Sequence, residues 1–428
     1  MRETIRKLIP SFLLDFYHYL LAGIGAFLYG FPSKKIKIIG VTGTSGKSTV
    51  VNLTTKILEE AGYKVACLSS IKFKIGNKEW ENTLKMTMPG RMKLQRFLKQ
   101  AVKEKCQYLV LEVTSEGIKQ YRHKFIDFEA AVFTNLSPEH IEAHKGFENY
   151  RKAKLKLFKK AKKVHIVNLD DENVNYFLDY SVEEKWGYRV KRKAQSVKRK
   201  TIAQSVKVLE AENIQIKPNS VNFIIKDIQF NINLLGEFNI YNSLSAICVG
   251  LSQGVSLEIC KKALEKVKGI PGRMEIVIKE PFTVIVDYAH TPEALKKVYE
   301  TIKSSVSNSM ICVLGSCGGG RDKWKRSILG KLAAKYCNKI IITNEDPYDE
   351  EPLKIMKEIA SDHLSSKTYQ LILDRREAIR QALKIARPND VIIITGKGSE
   401  PWMCIEKGKK IPWDDRQIVR EEFQKLNK

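Results

Sequence analysis

Residues 36–49, IKIIGVTGTSGKST, constrain the fold more than any other part of the chain. The apolar run at 36–41 reads as a buried strand, Gly40, Gly43 and Gly46 follow, and Lys47 to Ala61 reads as an amphipathic helix. A strand that passes through glycines into a helix N-terminus aims several backbone N–H groups at one point, which suits a phosphate. Gly43, Thr44, Ser45, Gly46, Lys47, Ser48 and Thr49 form that cradle. Lys47 is placed to neutralise β and γ phosphate oxygens, and Ser48 to offer a hydroxyl to Mg²⁺. The spelling departs from G-x-x-x-x-G-K-[ST], because Val41 stands where the first glycine belongs; it reads T-G-T-x-G-K-S-T.

Around this loop the chain alternates apolar runs with helical stretches, an α/β pattern. Runs at 107–113, 130–135 and 163–168 read as strands of one parallel sheet carrying an ATPase-type domain. A second alternation, with runs at 283–290, 310–316, 339–344, 369–373 and 390–396, predicts a smaller Rossmann-like α/β domain. The link Gly269-Ile270-Pro271-Gly272 sets the boundary, giving an apolar helical segment at 1–34, a central domain at 35–269 and a C-terminal domain at 270–428. Residues 186–233 read differently, as a smaller antiparallel subregion. Within them 189–207 is strongly basic and repeats AQSVK, which suggests an exposed hairpin or loop.

Lys and Arg exceed Asp and Glu by 26 in a chain of 428 residues, which favours anionic partners. Eight cysteines without a C-x-x-C pair exclude a disulfide scaffold and a zinc ribbon, and point to a reducing compartment. From Phe16 to Ser33 there is no charged residue, and no small-residue cleavage site follows. Three placements fit that segment: a helix packed on the protein's own body, a helix in a membrane interface, or a span. Membrane-surface contact is assigned to residues 8–31, and the chain to the cytoplasm.

The phosphate loop resembles that of the Mur ligases, the ATP-dependent amide-bond ligases of peptidoglycan precursor synthesis. Further blocks recur in the family's order: LEVTSEGIKQYR (111–122), TNLSPEHIEAHKGFENYRKAKLKLF (134–158), LLGEFNIYNSLSA, GRMEIV, VDYAHTPEAL, GSCGGGRDKWKR, DRREAI, TGKGSE and WDDRQIVRE. The resemblance is strongest to the branch that adds the third, diamino acid to UDP-N-acetylmuramoyl-L-alanyl-D-glutamate. It implies ATP and Mg²⁺, with a carboxylate phosphorylated and then attacked by an amine. Catalytic groups on this resemblance are Lys47, Glu112, His140 and Lys154. Ser48, Glu112 and His140 would meet Mg²⁺, joined by Lys154 if it is carbamylated. Asn239 and Asn242 would meet the adenine side, and Arg273, Asp287, Tyr288 and His290 the ribose and phosphates. Such contacts from two domains imply closure around ATP.

Thr87, Thr114, Gln120 and Arg122 match positions that hold the nucleotide-linked muramoyl peptide, although Thr87-Met88-Pro89 replaces Thr-Thr-Pro and Thr114 replaces a serine. Arg321, Gly396 and Glu400 match the grip on the incoming amino acid. Diaminopimelate-adding members resemble Asp-Asn-Pro-Arg at the specificity motif, whose Arg clamps the distal carboxylate. Here the stretch is Glu345-Asp346-Pro347-Tyr348, followed by Asp349-Glu350-Glu351, which favours a cationic side chain such as lysine or ornithine. Ser399 also stands where the family has His.

Typical members carry a whole uridine-nucleotide-binding domain before the loop, whereas 42 residues precede Gly43 here. The expectation is that this domain is missing. The same chemistry on a different or lipid-linked carboxylate is therefore the alternative. A non-catalytic binder of anionic polymers on a ligase scaffold is a third reading, weakened by the intact Lys47, Glu112, His140, Lys154 and His290. Nucleic acid is not an expected partner.

Overall fold

The computed structural model describes residues 10–84, 86–191, 205–305, 308–360 and 369–426. Helix α1 (Ser11–Leu28) leads through a short 3₁₀ turn to β1 (Lys37–Thr42), the phosphate loop and α2 (Lys47–Glu60). Next come β2 (Val65–Leu68), β3 (Lys72–Ile75), β4 (Lys78–Glu81), α3 (Arg91–Lys103) and β5 (Tyr108–Glu112). They are followed by β6 (Ala130–Phe133), α4 (Phe147–Lys160), β7 (Val164–Asn168), β8 (Glu184–Val190), β9 (Val206–Lys217), β10 (Ser220–Ile225) and β11 (Ile228–Ile232). These eleven strands form one sheet in the order β11-β10-β9-β8-β7-β6-β1-β5-β2-β3-β4. From β2 to β9 neighbouring strands run parallel, and an antiparallel pair closes each edge.

A sheet with crossover helices on both faces needs strands that are apolar throughout. Accordingly β5, β6 and β7 are buried at every residue. One face is covered by α2 together with α5 (Phe238–Ser252) and α6 (Leu257–Glu265), around Val50, Leu53, Ile57, Leu244 and Ile247. The other is covered by α3 and α4, around Leu94, Leu98, Tyr150, Leu157 and Phe158.

The second sheet is assembled from β12 (Glu275–Ile278), β13 (Thr283–Asp287), β14 (Met310–Leu314), β15 (Lys339–Thr343), β16 (Tyr369–Ile372) and β17 (Val391–Thr395). Its order is β12-β13-β17-β14-β15-β16, parallel except at β12. Helices α7 (Pro292–Ser305), α8 (Lys325–Tyr336) and α9 (Pro352–Ala360) pack on one face. Helices α10 (Arg375–Ile385) and α11 (Asp415–Leu426) pack on the other. A small hairpin, β18 (Trp402–Cys404) with β19 (Lys410–Pro412), sits before α11. The structure thus has the expected α/β class: a large, mostly parallel sheet and a smaller second one.

The reading of 186–233 as a separate antiparallel subregion is corrected. Strands β8 and β9 extend the large sheet in parallel, because Tyr188, Val190, Leu209 and Ala211 bury against the same core as α5. Within 186–233 only β9, β10 and β11 pair antiparallel. Of the basic stretch at 189–207, Arg189 and Val190 end β8 and Val206 and Lys207 begin β9, while residues 192–204 lie outside the described residues.

Candidate active site between the two sheets

The phosphate loop is shaped by backbone geometry that forbids side chains. Gly46 caps α2 with φ 82°, and a Cβ there would lie 2.4 Å from Asn242 Oδ1. A Cβ on Gly43 would lie 1.9 Å from Thr134 Oγ1. The loop is pinned from β6 onwards: Thr44 N donates to Asn135 O at 2.9 Å, Ser45 N to Asn135 Oδ1 at 2.9 Å, and Thr134 Oγ1 to Ser45 O at 2.7 Å. The Thr-Asn of the 134–158 block is therefore the loop's scaffold.

Glu112, at the end of β5, meets the start of α2. Ser48 Oγ donates to Glu112 Oε2 at 2.8 Å and lies 2.7 Å from Ser70 Oγ, while Ser70 N donates to the same carboxylate oxygen at 3.0 Å. Lys47 Nζ donates to Thr44 O at 2.8 Å and stands 4.0 Å from Glu112. Burial pushes its pKa down, partly offset by Glu112. Arg273 reaches the same point from just before β12, its guanidinium 3.4 Å from Ser48 Oγ and 3.3 Å from Ser70 Oγ.

Lys154, on α4, is fully buried. Its Nζ donates to Gly43 O at 2.7 Å and sits over the Tyr150 ring, whose hydroxyl lies 3.1 Å from Thr44 Oγ1. Burial, then the Lys47 charge, holds its pKa well below the ordinary lysine value. His140 adopts φ 56° before the short helix Ile141–His144, and burial together with Arg321 pushes its imidazole down to about 2. His290 is likewise held well below its ordinary value, first by burial and then by Lys325, with Nδ1 2.9 Å from Tyr288 O. The lowered values favour the neutral imidazole in both, the form that can ligate or accept.

Other anticipated residues divide between the cleft and its supports. Asn242 Nδ2 donates to Asn239 Oδ1 at 2.9 Å, and the pair faces the loop from α5. The two Asp287 oxygens are taken by Met274 N at 2.7 Å and Ala289 N at 2.6 Å, so this carboxylate shapes the turn before His290. Thr114 Oγ1 accepts from Gly117 N at 3.1 Å and caps the Ser115–Lys119 turn. Thr87 and Arg122 line the cleft. Gln120 stands behind it, its side-chain oxygen accepting from Arg122 at 2.7 Å.

At the far end, Lys397 is completely buried and donates to Asp346 Oδ2 at 2.8 Å and Glu400 Oε2 at 2.6 Å. Glu400 Oε1 also accepts from Tyr288 OH at 3.1 Å. Asp349 accepts from Lys407 N, and Glu350 pairs with Arg326 and Lys323. The acidic surplus read from Glu345 to Glu351 is therefore mostly spent internally. Glu345 differs. Its Oε1 accepts from Cys317 Sγ at 3.2 Å, its Oε2 is buried without a hydrogen bond, and burial pushes its pKa up. Gly396, at φ 107°, leaves the space for it, since a Cβ there would lie 1.9 Å from that oxygen. Tyr348 and Arg321 line the same end.

These groups surround one cleft of about 1180 Å³ between the sheets. Four features escaped the sequence reading. Ser70 comes from a loop without a motif. The buried Glu139–Lys325 ion pair (3.0 Å) crosses the cleft, and so does Asp322, which accepts from the Ile141 and Glu142 N–H groups. Lys397 was visible in TGKGSE and carried a signal only as a lysine among glycines.

Residues 41–250 match the Mur ligase middle domain, and residues 272–398 the Mur ligase glutamate ligase domain. The chain is 38% identical over 413 residues to the UDP-N-acetylmuramoyl-L-alanyl-D-glutamate–2,6-diaminopimelate ligase of Clostridium botulinum, covering 95% of this chain and 82% of the relative. It belongs to the Mur ligase family. A solved ligase of the same description superposes with a TM-score of 0.60 at 28% identity, over 92% of this chain and 79% of that one. The folylpolyglutamate synthase of Mycobacterium tuberculosis shares the fold, with a TM-score of 0.70 at 16% identity over 88% and 92% of the two chains. As a Mur ligase the chain is an ATP-dependent, ADP-forming amide ligase, and its cleft lies where the two matched domains meet.

Proposed function

We propose that this Mur ligase adds a diamino acid to UDP-N-acetylmuramoyl-L-alanyl-D-glutamate, with residues 35–269 and 270–428 as its two catalytic domains. The observation that carries this reading is Arg273, which joins the second sheet to the Ser48–Glu112 pair at the mouth of the phosphate loop. A phosphate seated on the Gly43–Thr49 backbone would have Lys47 and Arg273 as its nearby cations. Those cations stabilise the charge that develops as the γ-phosphoryl moves to the acceptor carboxylate.

The donor set fits Mg²⁺. Ser48 Oγ and the Glu112 carboxylate, 2.8 Å apart at the start of α2, are hard oxygen donors of the kind this ion takes alongside water and phosphate oxygens. Ser48 and Glu112 would hold it, with His140 and a carbamylated Lys154 on the neighbouring side, and it would neutralise phosphate charge. Lys154 suits carbamylation because a lysine held neutral is the form that reacts with carbon dioxide. Asn239 and Asn242 border the nucleotide, Tyr288 and His290 its ribose side, and Thr87, Thr114 and Arg122 the muramoyl peptide.

For the amino acid, Glu345 supplies the buried carboxylate that receives a distal ammonium, and Arg321 one guanidinium for a carboxylate. With Tyr348 where diaminopimelate-adding members resemble Arg, one carboxylate is gripped and not two. This favours lysine or ornithine. The setting is the cytoplasm, with membrane-surface contact through residues 8–31.

The deciding experiment is ADP release with Mg²⁺, ATP and UDP-N-acetylmuramoyl-L-alanyl-D-glutamate, in parallel with lysine, ornithine and meso-diaminopimelate, with product mass recorded. A tripeptide product with lysine or ornithine is expected. ATP binding without turnover on any of the three would overturn the acceptor. A lipid-linked acceptor is the second reading, favoured by the position of α1. That helix packs on α3 at Met92, beside Arg91, which donates to Gln120 O at 2.8 Å behind the Thr87–Arg122 wall.

A further inference from the structure

Helix α1 is built the wrong way round for a helix that serves its own protein. Its small residues face inward: Ala22, Gly25 and Ala26 are buried, Gly25 lies against Met92 and Gln95 of α3, and Gly23 lies against the Phe125 ring. Its large residues face outward. Phe27 is 73% exposed, Phe12 68%, Leu28 64% and Phe16 62%, joined by exposed Leu13, Tyr17, Leu20 and Ile24. A surface helix normally turns its apolar stripe to the core. An apolar face of this extent marks a surface that something else covers.

Phe125 ties that helix to a positive cluster. Its ring packs on Tyr19 with centroids 5.1 Å apart, and its carbonyl accepts from Ser33 Oγ at 3.5 Å, next to exposed Lys34 and Lys35. Its chain neighbour Lys124 has its pKa lowered by burial and then by Lys160, Lys156 and Lys159. Lys152, Lys156, Lys159 and Lys160 are exposed on α4 at helical spacing and so share a side. Asp15 is the only charged residue within α1. Among the described residues no helix is long and apolar enough to cross a membrane.

We propose that the outer face of α1 and the Lys124–Lys156–Lys159–Lys160 cluster form one docking face for an anionic lipid bilayer, with the helix lying in the interface plane. Apolar and aromatic side chains enter the headgroup boundary while the lysines meet acidic headgroups, the two-part arrangement that gives stable interfacial binding. A second copy of the chain is the poorer occupant. Symmetric pairing through this face would set one lysine cluster beside another, with Asp15 the one acid that α1 brings to answer it. The proposal deepens the membrane contact stated above and is independent of the acceptor's identity.

The test is flotation of the full chain with vesicles of phosphatidylcholine alone or with about a third phosphatidylglycerol, at low and high salt, beside its sedimentation in solution. Binding at least tenfold tighter to the anionic vesicles and weakened by salt is expected. Phe16→Ser with Phe27→Ser, and separately Lys156→Glu with Lys159→Glu and Lys160→Glu, should each lower anionic-vesicle binding at least tenfold. Both variants should keep the wild-type ligase turnover measured without vesicles, which also reports their folding. Equal binding to both vesicle types would overturn the anionic-lipid proposal while leaving membrane contact standing. Binding to neither would overturn both, and a dimer that the phenylalanine variant abolishes would give the face to a second copy.

Discussion

Asp322 and Glu142 clasp the two sides of the cleft, each carboxylate taking a backbone N–H from the opposite side. The Asp322 carboxylate accepts from Glu142 N–H at 3.0 Å, and the Glu142 carboxylate accepts from Lys323 N–H at 2.9 Å. Asp322 follows Arg321 and Glu142 lies two residues after His140, so the pair joins the end of the cleft proposed for the amino acid to the end proposed for the metal. Asp322→Ala should leave the melting temperature within a few degrees but lower kcat/KM by about 10–100-fold, the loss of one or two charge-assisted hydrogen bonds. Wild-type kinetics would show that closure does not need this contact.

In the proposed function Ser48 and Lys47 act on the same phosphates by different means, and their variants should part accordingly. Lys47→Ala should lower kcat by about 10²–10³-fold at any Mg²⁺ concentration. Ser48→Ala should raise the Mg²⁺ concentration needed for half-maximal rate, because Glu112 would lose its hydroxyl neighbour. A Mg²⁺ titration of both variants separates the two, and identical curves would remove Ser48 from the ion's shell.

Lys154 is buried against Gly43 O with its pKa well below the ordinary value. Incubation with ¹³C-bicarbonate should give a carbamate carbonyl resonance that is absent from Lys154→Ala. That variant should lose activity, and bicarbonate should not restore it. A fully active Lys154→Ala would dismiss the carbamate.

Tyr348→Arg should raise the ratio of diaminopimelate to lysine use by at least tenfold, by supplying a second guanidinium for a second carboxylate. Glu345→Gln, which removes the charge but keeps the shape, should raise KM for the amino acid more than it lowers kcat. An unchanged ratio in the first variant would mean that this loop does not set specificity.

Buried histidines set the acid limb of stability. His123 is pushed down to about 3 by burial and His140 to about 2, and His144, His165 and His290 are lowered too. Below the unfolded histidine value of about 6.5, the unfolded chain takes up protons that the folded chain refuses, so stability falls as pH falls. Denaturant midpoints should drop steadily from pH 7 to pH 5.5. His165→Gln should shallow that slope, since His165 Nε2 lies 2.8 Å from Ala161 O in a site remote from the loop. A flat profile over that window would contradict the burial of these rings.

The phosphate loop and both parallel sheets were legible because glycines, apolar runs and turn residues encode them locally. Strands β2, β3 and β4 were not, for each has only four residues: β3 alternates too briefly to be read, and β4 is exposed throughout. The extension of the large sheet by β8 and β9 was misread for a related reason: their burial depends on α5, which comes later in the chain. In the site, Lys47, Glu112 and Lys154 were visible within motifs. Which acids of 345–351 are free was not, because it depends on Lys397, Arg326 and Lys407 folding back onto them.

The place of β1 in the large sheet imposes an order of assembly. Its two neighbours are β5 and β6, so the strand that leads into the phosphate loop is made well before either strand it pairs with. The groups that pin the loop, Thr134 and Asn135, come later still. A nascent chain ending before Tyr108 has no place for its most apolar early strand. During synthesis, therefore, ATP meets a fully pinned loop only once the chain has passed Asn135.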